Sequence, residues 1–391
     1  MAGIGVAVVG ASARSTMLFD YLKRHPDAGS VTGAYDPVPR RCGFLIDHYE
    51  VPGARVYDSL EAAVGDDRAQ AVFVAPWDAA HAECSLAALR AGKHVFCEKP
   101  LATTLADCDA VVAAAAEAPG TFYLGMNLRH SPVHETVHDL VAAGRAGRLT
   151  TIEAGEHYGG GRTYFRRWNR LRKYGGGLWI TKACHDFDVL NWLAGAAPAR
   201  VFACSSLSHY RPRADAADYC RDCALAATCP DAYARDGPGA VWRELWDGME
   251  AVTGERRDLC LWNSEKDTFD NGIAVVDYAN DVRATYTVNV LSGRDTRELT
   301  VVGTEGTIRA DMAAGAVTFH PRHGGPAETL DVTERMRSGH GGADAGIMAD
   351  FFDGLRTGRA PRSGPAEGRA SVRVGLAARE SCDTGRVVEL T

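Results

Sequence analysis

The chain has no run of 18 uncharged apolar residues, no basic segment leading into an apolar one at its start, no internal repeat and no excess of positive charge. The first absence leaves no segment long enough to cross a bilayer as a helix. The second makes Met1–Gly10 a first strand running into a turn, not a signal peptide, so a cytoplasmic location is expected. With a formal net charge of −7, a general affinity for nucleic acid or an anionic membrane is not expected. Small molecules are the expected partners. At 391 residues, 46% hydrophobic and 24% charged, the chain has the length and composition of a two-domain globular enzyme. Its 11 cysteines read, in a reducing compartment, as free thiols or metal ligands and not as disulfides.

Glycine is scarce where a dinucleotide fingerprint would want it. Ile4 to Val9 reads as a strand, and Met17, Leu18, Tyr21 and Leu22 recur at helical spacing after it. The turn between keeps only Gly10 of three glycines, with Ser12 and Ser15 in the other places. Those glycines serve a tight turn, close approach of a pyrophosphate and helix packing on the strand. Ser is small enough to stand in. A second strand, Val31 to Tyr35, ends at Asp36, 26 residues after Gly10. A carboxylate there accepts both adenosine ribose hydroxyls and repels a 2′-phosphate, which favours NAD over NADP. Arg40 and Arg41 are near enough to accept such a phosphate, so NADP stays open. Further strands at Ala71–Ala75, Val95–Cys97 and Thr121–Gly125 alternate with helices at about 40–49, 60–64, 79–91 and 105–116, the pattern of a doubly wound parallel sheet. Pro76-Trp77 ends one of these strands at its cofactor end. A further helix starts at Pro132 with Ser131 as its N-cap.

Gly92-Lys93-His94-Val95-Phe96-Cys97-Glu98-Lys99-Pro100 carries a buried strand into a charged turn, at the strand end where open α/β sheets bind ligands. A second informative stretch follows three glycines, Gly175 to Gly177. Read as one helix at 100° per residue, it places Thr181, His185, Asp188 and Trp192 within about 60° of one another. Three polar groups on one face of an otherwise apolar helix point to acid-base chemistry with Lys99.

Taken together, Val8-Val9-Gly10-Ala11-Ser12-Ala13-Arg14, Asp36, His81, Ala91-Gly92-Lys93-His94-Val95, Glu98-Lys99-Pro100 and the glycines before His185 resemble the glucose-fructose oxidoreductase/inositol dehydrogenase/MocA family. The resemblance implies a Rossmann domain over 1–126. A substrate domain follows over 127–391, with a large, mostly antiparallel open sheet whose exposed face builds homo-oligomers. The expected cofactor contacts are Gly10, Ser12, Ala13, Arg14, Asp36, Arg41, Pro76, Trp77, His81, Glu98 and Lys99, and the expected substrate contacts, for a sugar or cyclic polyol, are Arg129, Arg167, Trp168 and Lys182. The resemblance also assigns Lys99 and His185 to the carbinol being oxidised. The family's carboxylate four residues before the histidine is absent, its place taken by Thr181. Asp188 is the expected partial replacement. Neutral His185 would take the carbinol proton and Lys99 would favour the developing alkoxide. The expected activity is an NAD(H)-dependent dehydrogenase or reductase. An NAD-dependent lyase or hydrolase working by transient oxidation is a second reading, and a non-catalytic nucleotide-binding regulator a third.

Two segments stand apart. Residues 162–173 hold six cations and three aromatics, and read as a solvated loop or a substrate lid. Residues 212–265 interrupt the second domain with Cys220, Cys223, Cys229 and Cys260, whose local spacing suits a closed structural zinc site, with free thiols as the alternative. Strands are expected near 273–278, 283–291, 298–302 and 307–310. A loop is expected over 321–345, with His340 in it, followed by helices near 347–356 and 368–380 that pack on the sheet.

Overall fold

Six strands form the first sheet of the computed structural model, which describes residues 3–233, 254, 256–336 and 339–390. They are β1 (Ile4–Val9), β2 (Gly29–Tyr35), β3 (Arg55–Val56), β4 (Ala71–Val74), β5 (His94–Cys97) and β6 (Phe122–Leu124), all parallel in the order β3-β2-β1-β4-β5-β6. The apolar runs of β1, β4 and β5 are buried on both faces, as strands covered by helices on either side must be. Strand order reverses between β1 and β4. That switch point is the crevice where such sheets bind ligands, and it brings Gly10 and Pro76 together.

The second sheet has nine strands: β7 (Leu149–His157), β8 (Pro198–Ser206), β9 (Asn271–Tyr278), β10 (Arg283–Asn289), β11 (Thr296–Gly303), β12 (Gly306–Asp311), β13 (Ala316–Pro321), β14 (Glu328–Asp331) and β15 (Val388–Glu389). Their order is β14-β13-β12-β11-β7-β10-β9-β8-β15. Every pairing is antiparallel except β7 with β10. The residue alternation carries one face inward, with Ile152, Ala274, Tyr286 and Val301 buried against the helices. The expected loop over 321–345 in fact contributes edge strand β14.

The last helices depart from the expectation that both pack on the large sheet. In Ala343–Thr357, Ile347, Met348, Phe351 and Phe352 share one face and sit in the core of the first sheet with Phe19, Phe73 and Phe96. Phe351 meets the Phe96 ring edge-on at 5.4 Å and the Tyr123 ring at 5.1 Å. Burying each such phenyl contributes about 2–3 kcal/mol. Helix Pro365–Thr384 has two working faces: Val372 packs with Cys97 and Leu101 on the first sheet, while Val374, Ala377 and Ala378 belong to the core of the second. The chain end thus clamps the two sheets together around the crevice. Among capping residues, Thr104 accepts from the Asp107 N–H at 3.1 Å, whereas Ser131, before Pro132, makes no cap bond and its hydroxyl has no partner.

Candidate active site

The glycine turn at the end of β1 is held from within. Gly10 has φ +91°, and a Cβ there would lie 2.3 Å from the Pro76 nitrogen and 2.5 Å from the Ala75 carbonyl carbon, so only glycine fits. Ser15, fully buried, donates to the Gly10 carbonyl and accepts from the Ser12 N–H at 3.2 Å; Ser12 Oγ in turn accepts from the Arg14 N–H at 3.2 Å. The two serines spend their hydroxyls on the turn itself. At the end of β2, Asp36 accepts from the Ala11 and Val38 N–H groups, each at 2.9 Å, and Arg41 Nη1 stands 3.4 and 3.5 Å from its two oxygens. Burial raises the Asp36 pKa, against the pull of Arg41 and the two N–H groups.

Arg14 points elsewhere than expected of a cofactor contact. Its guanidinium donates to Glu98 Oε1 at 3.0 Å and to Asp344 Oδ1 at 3.1 Å. Asp344 also accepts from Asn127 Nδ2 and contacts His340 Nδ1, both at 2.8 Å. Against the rise that burial causes, the hydrogen bond with His340 and the charge of Arg14 hold the Asp344 carboxyl well below the ordinary carboxylate range. His340, expected in a loop, therefore sits beside the head of helix Ala343–Thr357. His81 is likewise redirected: its Nδ1 bonds the Pro100 carbonyl at 2.6 Å, pinning the turn after β5, where the Lys99–Pro100 peptide is cis. Trp77 packs on Tyr174 of the second domain with ring centroids 5.3 Å apart.

The expected single helix around His185 is broken. Leu178–Thr181 ends at Lys182, and Cys184–Ala194 begins anew. Thr181 therefore does not stack one turn below His185. It offers its carbonyl to Lys99 Nζ at 3.0 Å. His185 is 8% exposed, and its Nδ1 has no partner. Burial, then the charges of Lys99, Arg297, His340 and Lys182, hold its pKa well below the ordinary value, so the imidazole is neutral and able to accept a proton. Asp188 and Arg129 are corrected together. Arg129 Nε and Nη2 donate to the two Asp188 oxygens at 2.7 and 2.8 Å, and Arg129 Nη1 donates to the Arg362 carbonyl at 2.8 Å. Their hydrogen-bonding groups are committed to each other, which removes one from the acid-base role and the other from substrate binding. Trp192 on the same helix stacks on His138 at 3.9 Å.

Lys182 instead meets Glu156 Oε1 at 2.8 Å and lies 3.8 Å from the Tyr158 ring centroid. Arg297 Nη2 reaches the same Glu156 oxygen at 2.7 Å, while its Nε donates to Asp186 Oδ1 at 2.9 Å and Tyr286 donates to Asp186 Oδ2 at 3.0 Å. Glu156 Oε2 has no partner. The sequence reading missed Glu156 and Arg297, although a signal existed. Each occupies the buried phase of its strand, Ile152-Ala154-Glu156 and Arg297-Leu299-Val301, directly opposite each other across β7 and β11. Asp78, in the turn after β4, was missed as well. It is 5% exposed, and its Oδ2 has no partner.

The basic segment is a set of ties as much as a lid. Arg166 donates to the carbonyls of Leu259 (2.9 Å) and Asp231, and buried Arg170 donates to the Glu265 and Arg167 carbonyls at 2.9 and 3.1 Å. Burial raises the Tyr164 pKa, and the charge of Arg167 opposes part of that rise; Trp168 borders Gly175, where a Cβ would come within 3.2 Å of its ring. These ties fasten the cysteine-bearing insertion between β8 and β9; its residues 234–253 and 255 lie outside the described residues. Cys220, Cys223, Cys229 and Cys260 line one small cavity. Among the described residues, however, no group of three or more His, Cys, Asp or Glu side chains is disposed to hold a metal, so the expected zinc is unsupported. Cys220 Sγ accepts from the Tyr233 N–H at 3.4 Å and from Arg166 at 3.6 Å.

The residues present fit a dinucleotide: a turn that only glycine permits at the sheet's switch point, a carboxylate at the end of β2, and buried oxygens of Glu98 and Asp78 without protein partners at the strand ends. No helix among the described residues is long and apolar enough to cross a membrane.

Residues 4–126 match the oxidoreductase family profile described as an NAD-binding Rossmann fold, and residues 138–390 match the companion C-terminal alpha/beta domain. YteT of Bacillus subtilis (strain 168), an oxidoreductase by name, is 27% identical over 383 residues, covering 89% of this chain and 88% of its own. Inositol 2-dehydrogenase of Salmonella typhimurium (strain LT2) is 27% identical over 195 residues, 49% of this chain and 53% of its own. Among solved structures, levoglucosan dehydrogenase in complex with NADH and levoglucosan superposes with a TM-score of 0.78 at 16% identity over 99% of both chains, a likeness of fold alone. With both domains matched in order, the chain belongs to the Gfo/Idh/MocA family of oxidoreductases, and it is a dehydrogenase or reductase with an NAD-binding Rossmann fold.

Proposed function

We propose that this protein moves a hydride between NAD(H) and a secondary alcohol or ketone of a sugar, inositol or related cyclic polyol. The observation that supports this reading most is the approach of two groups from different domains. Lys99 of the Glu-Lys-Pro turn donates to the Thr181 carbonyl, and its charge helps to keep nearby His185 neutral. NAD, when bound, supplies the hydride acceptor. Neutral His185 takes the carbinol proton, and positioned bases of this kind speed such transfers roughly 10²- to 10⁴-fold. Lys99 hydrogen-bonds the same oxygen and stabilises charge as it develops. Lys182 and the unpartnered Glu156 oxygen offer a donor and an acceptor to neighbouring hydroxyls.

Arg41 faces Asp36 within the protein, so the carboxylate and not the guanidinium meets the adenosine ribose, which favours NAD over NADP. The names of relatives acting on inositol and levoglucosan agree with a cyclic polyol. The test is a panel of inositols, aldoses and anhydrosugars with NAD and NADP, read at the NADH absorbance band; binding of NADH with no turnover on any of them would count against it. The outer face of the large sheet, where Phe202 (42%), Ile273 (49%) and Val275 (38%) are exposed on β8 and β9, suits a second copy of the chain.

A further inference from the structure

Arg14 stands in the turn after β1, Glu98 directly after β5 and Asn127 just past β6, so all three lie at the carboxyl ends of the first sheet's strands. A fourth residue joins them from far along the chain. Asp344, in the first turn of helix Ala343–Thr357, is carried to this place because the apolar face of that helix is buried in the first sheet's core.

The contacts form one clamp. Arg14 Nη2 and Nη1 donate to Asp344 Oδ1 and Oδ2 at 3.1 and 3.3 Å, and Arg14 Nε and Nη2 meet Glu98 Oε1 at 3.0 and 2.9 Å. Paired N–H groups of this kind fix orientation as well as charge. Asn127 Nδ2 donates to Asp344 Oδ1, and His340 Nδ1 meets Asp344 Oδ2, both at 2.8 Å. Between them these donors occupy the roughly four lone-pair sites of the Asp344 carboxylate. Nothing on Asp344 is left for a ligand.

The residues it holds are different. Glu98 and Asn127 are 3% and 1% exposed, yet Glu98 Oε2 and Asn127 Oδ1 have no partner. Because an ionised Asp344 only accepts, the Asn127 atom that faces it is the nitrogen, and the free atom is the oxygen. Two buried acceptors thus lack donors, a cost that a ligand bearing hydroxyl or N–H groups relieves. Strand order tells which part of a dinucleotide they suit. Asp36, the acceptor for the adenosine ribose, ends β2, whereas Glu98 lies across the switch point, at the end of β5. A dinucleotide that spans the crevice from β2 lays its nicotinamide half on that far side.

We propose that Asp344 is a positioning residue of the cofactor site: from the C-terminal helix it sets Glu98 through Arg14, and Asn127 directly, so that their free oxygens accept donor groups of the nicotinamide half. Arg14 and Asp344 act through these neighbours and are assigned no contact with the cofactor. The proposal rests on NAD(H) as the cofactor and not on which sugar or polyol is oxidised.

The experiment is calorimetric titration of the full-length protein with NADH and, separately, with ADP, which carries the adenosine and diphosphate but no nicotinamide half. Asp344→Asn keeps the shape and removes the charge. It should weaken NADH about tenfold and leave ADP as in the wild type. Arg14→Met, at a partly exposed side chain, should give the same contrast, so the proposal stays testable if Asp344→Asn does not fold. In Arg14→Met/Asp344→Asn the NADH loss should fall short of the product of the two single losses, because both substitutions break one clamp. Unchanged NADH affinity in folded Asp344→Asn would overturn the proposal, as would losses that multiply in full. So would equal weakening of ADP and NADH, the result expected if the domain merely loosened or if Arg14 gripped the diphosphate. The titrations need no substrate. A failed sugar panel would thus strike the hydride-transfer reading, and the absence of a contrast between NADH and ADP would strike this one.

Discussion

Arg129 grips Asp188 through two parallel hydrogen bonds of 2.7 and 2.8 Å, with both side chains buried between the first turn after β6 and the histidine helix. Geometry of this kind combines strength with orientation. Because breaking a buried pair leaves one charge uncompensated, Arg129→Met should lower unfolding free energy by about 3–5 kcal/mol, measured by urea denaturation. The double variant Arg129→Met/Asp188→Leu should recover much of that loss. If instead Arg129→Met left stability unchanged and abolished substrate binding, the pair would belong to the site after all.

A second prediction concerns acid lability. Burial, aided by Arg297, depresses His134 to about 3. The folded state therefore resists protonation that the unfolded chain accepts near pH 6.5. Below that value the unfolded state binds the extra proton, and stability falls by about 1.4 kcal/mol per pH unit until the folded pKa is reached. Replacing His134 with Gln should flatten this part of the stability profile between pH 6 and 4. A profile of unchanged slope would show that His134 protonates freely in the native state.

Cofactor choice follows from Asp36 and Arg41. Asp36→Ser removes the ribose acceptor and frees the Arg41 guanidinium from its carboxylate partner. NADH should bind about tenfold more weakly and NADPH more tightly, read by fluorescence titration. Equal weakening of both would mean that Asp36 serves only to hold the turn through Ala11 and Val38.

On the outer sheet face, Ile273→Lys places a charge in the centre of the apolar patch without touching the inward core. Light scattering after gel filtration should show a smaller assembly than the wild type at the same concentration. An unchanged mass would count against self-association through this face.

Gly10, Asp36, Lys99 and His185 could be singled out in the sequence because each lies in a local pattern, a strand ending in a turn or a histidine after a glycine run. The helix break at Lys182 was not, since Lys182 is drawn to Glu156 of β7, a residue distant in the chain. Asp78, Glu156, Arg297 and Asp344 lie on four separate segments that meet only after folding. Of these, Glu156 and Arg297 betrayed themselves as charges in the buried phase of their strands, while nothing local distinguished Asp78 from a helix-capping aspartate. The two final helices show the same limit: the periodicity of Ile347, Met348, Phe351 and Phe352 predicts a buried face but not which sheet receives it.

The central claim is that Lys99 and His185 together carry the proton and charge of a carbinol oxidation. Its most direct test is kcat/KM for NADH formation on the best substrate of the sugar and inositol panel, compared among wild type, Lys99→Ala and His185→Ala, with NADH binding measured alongside. Each variant should lose about 10²- to 10⁴-fold while His185→Ala still binds NADH as the wild type does. Variants that turn over at the wild-type rate would contradict the account.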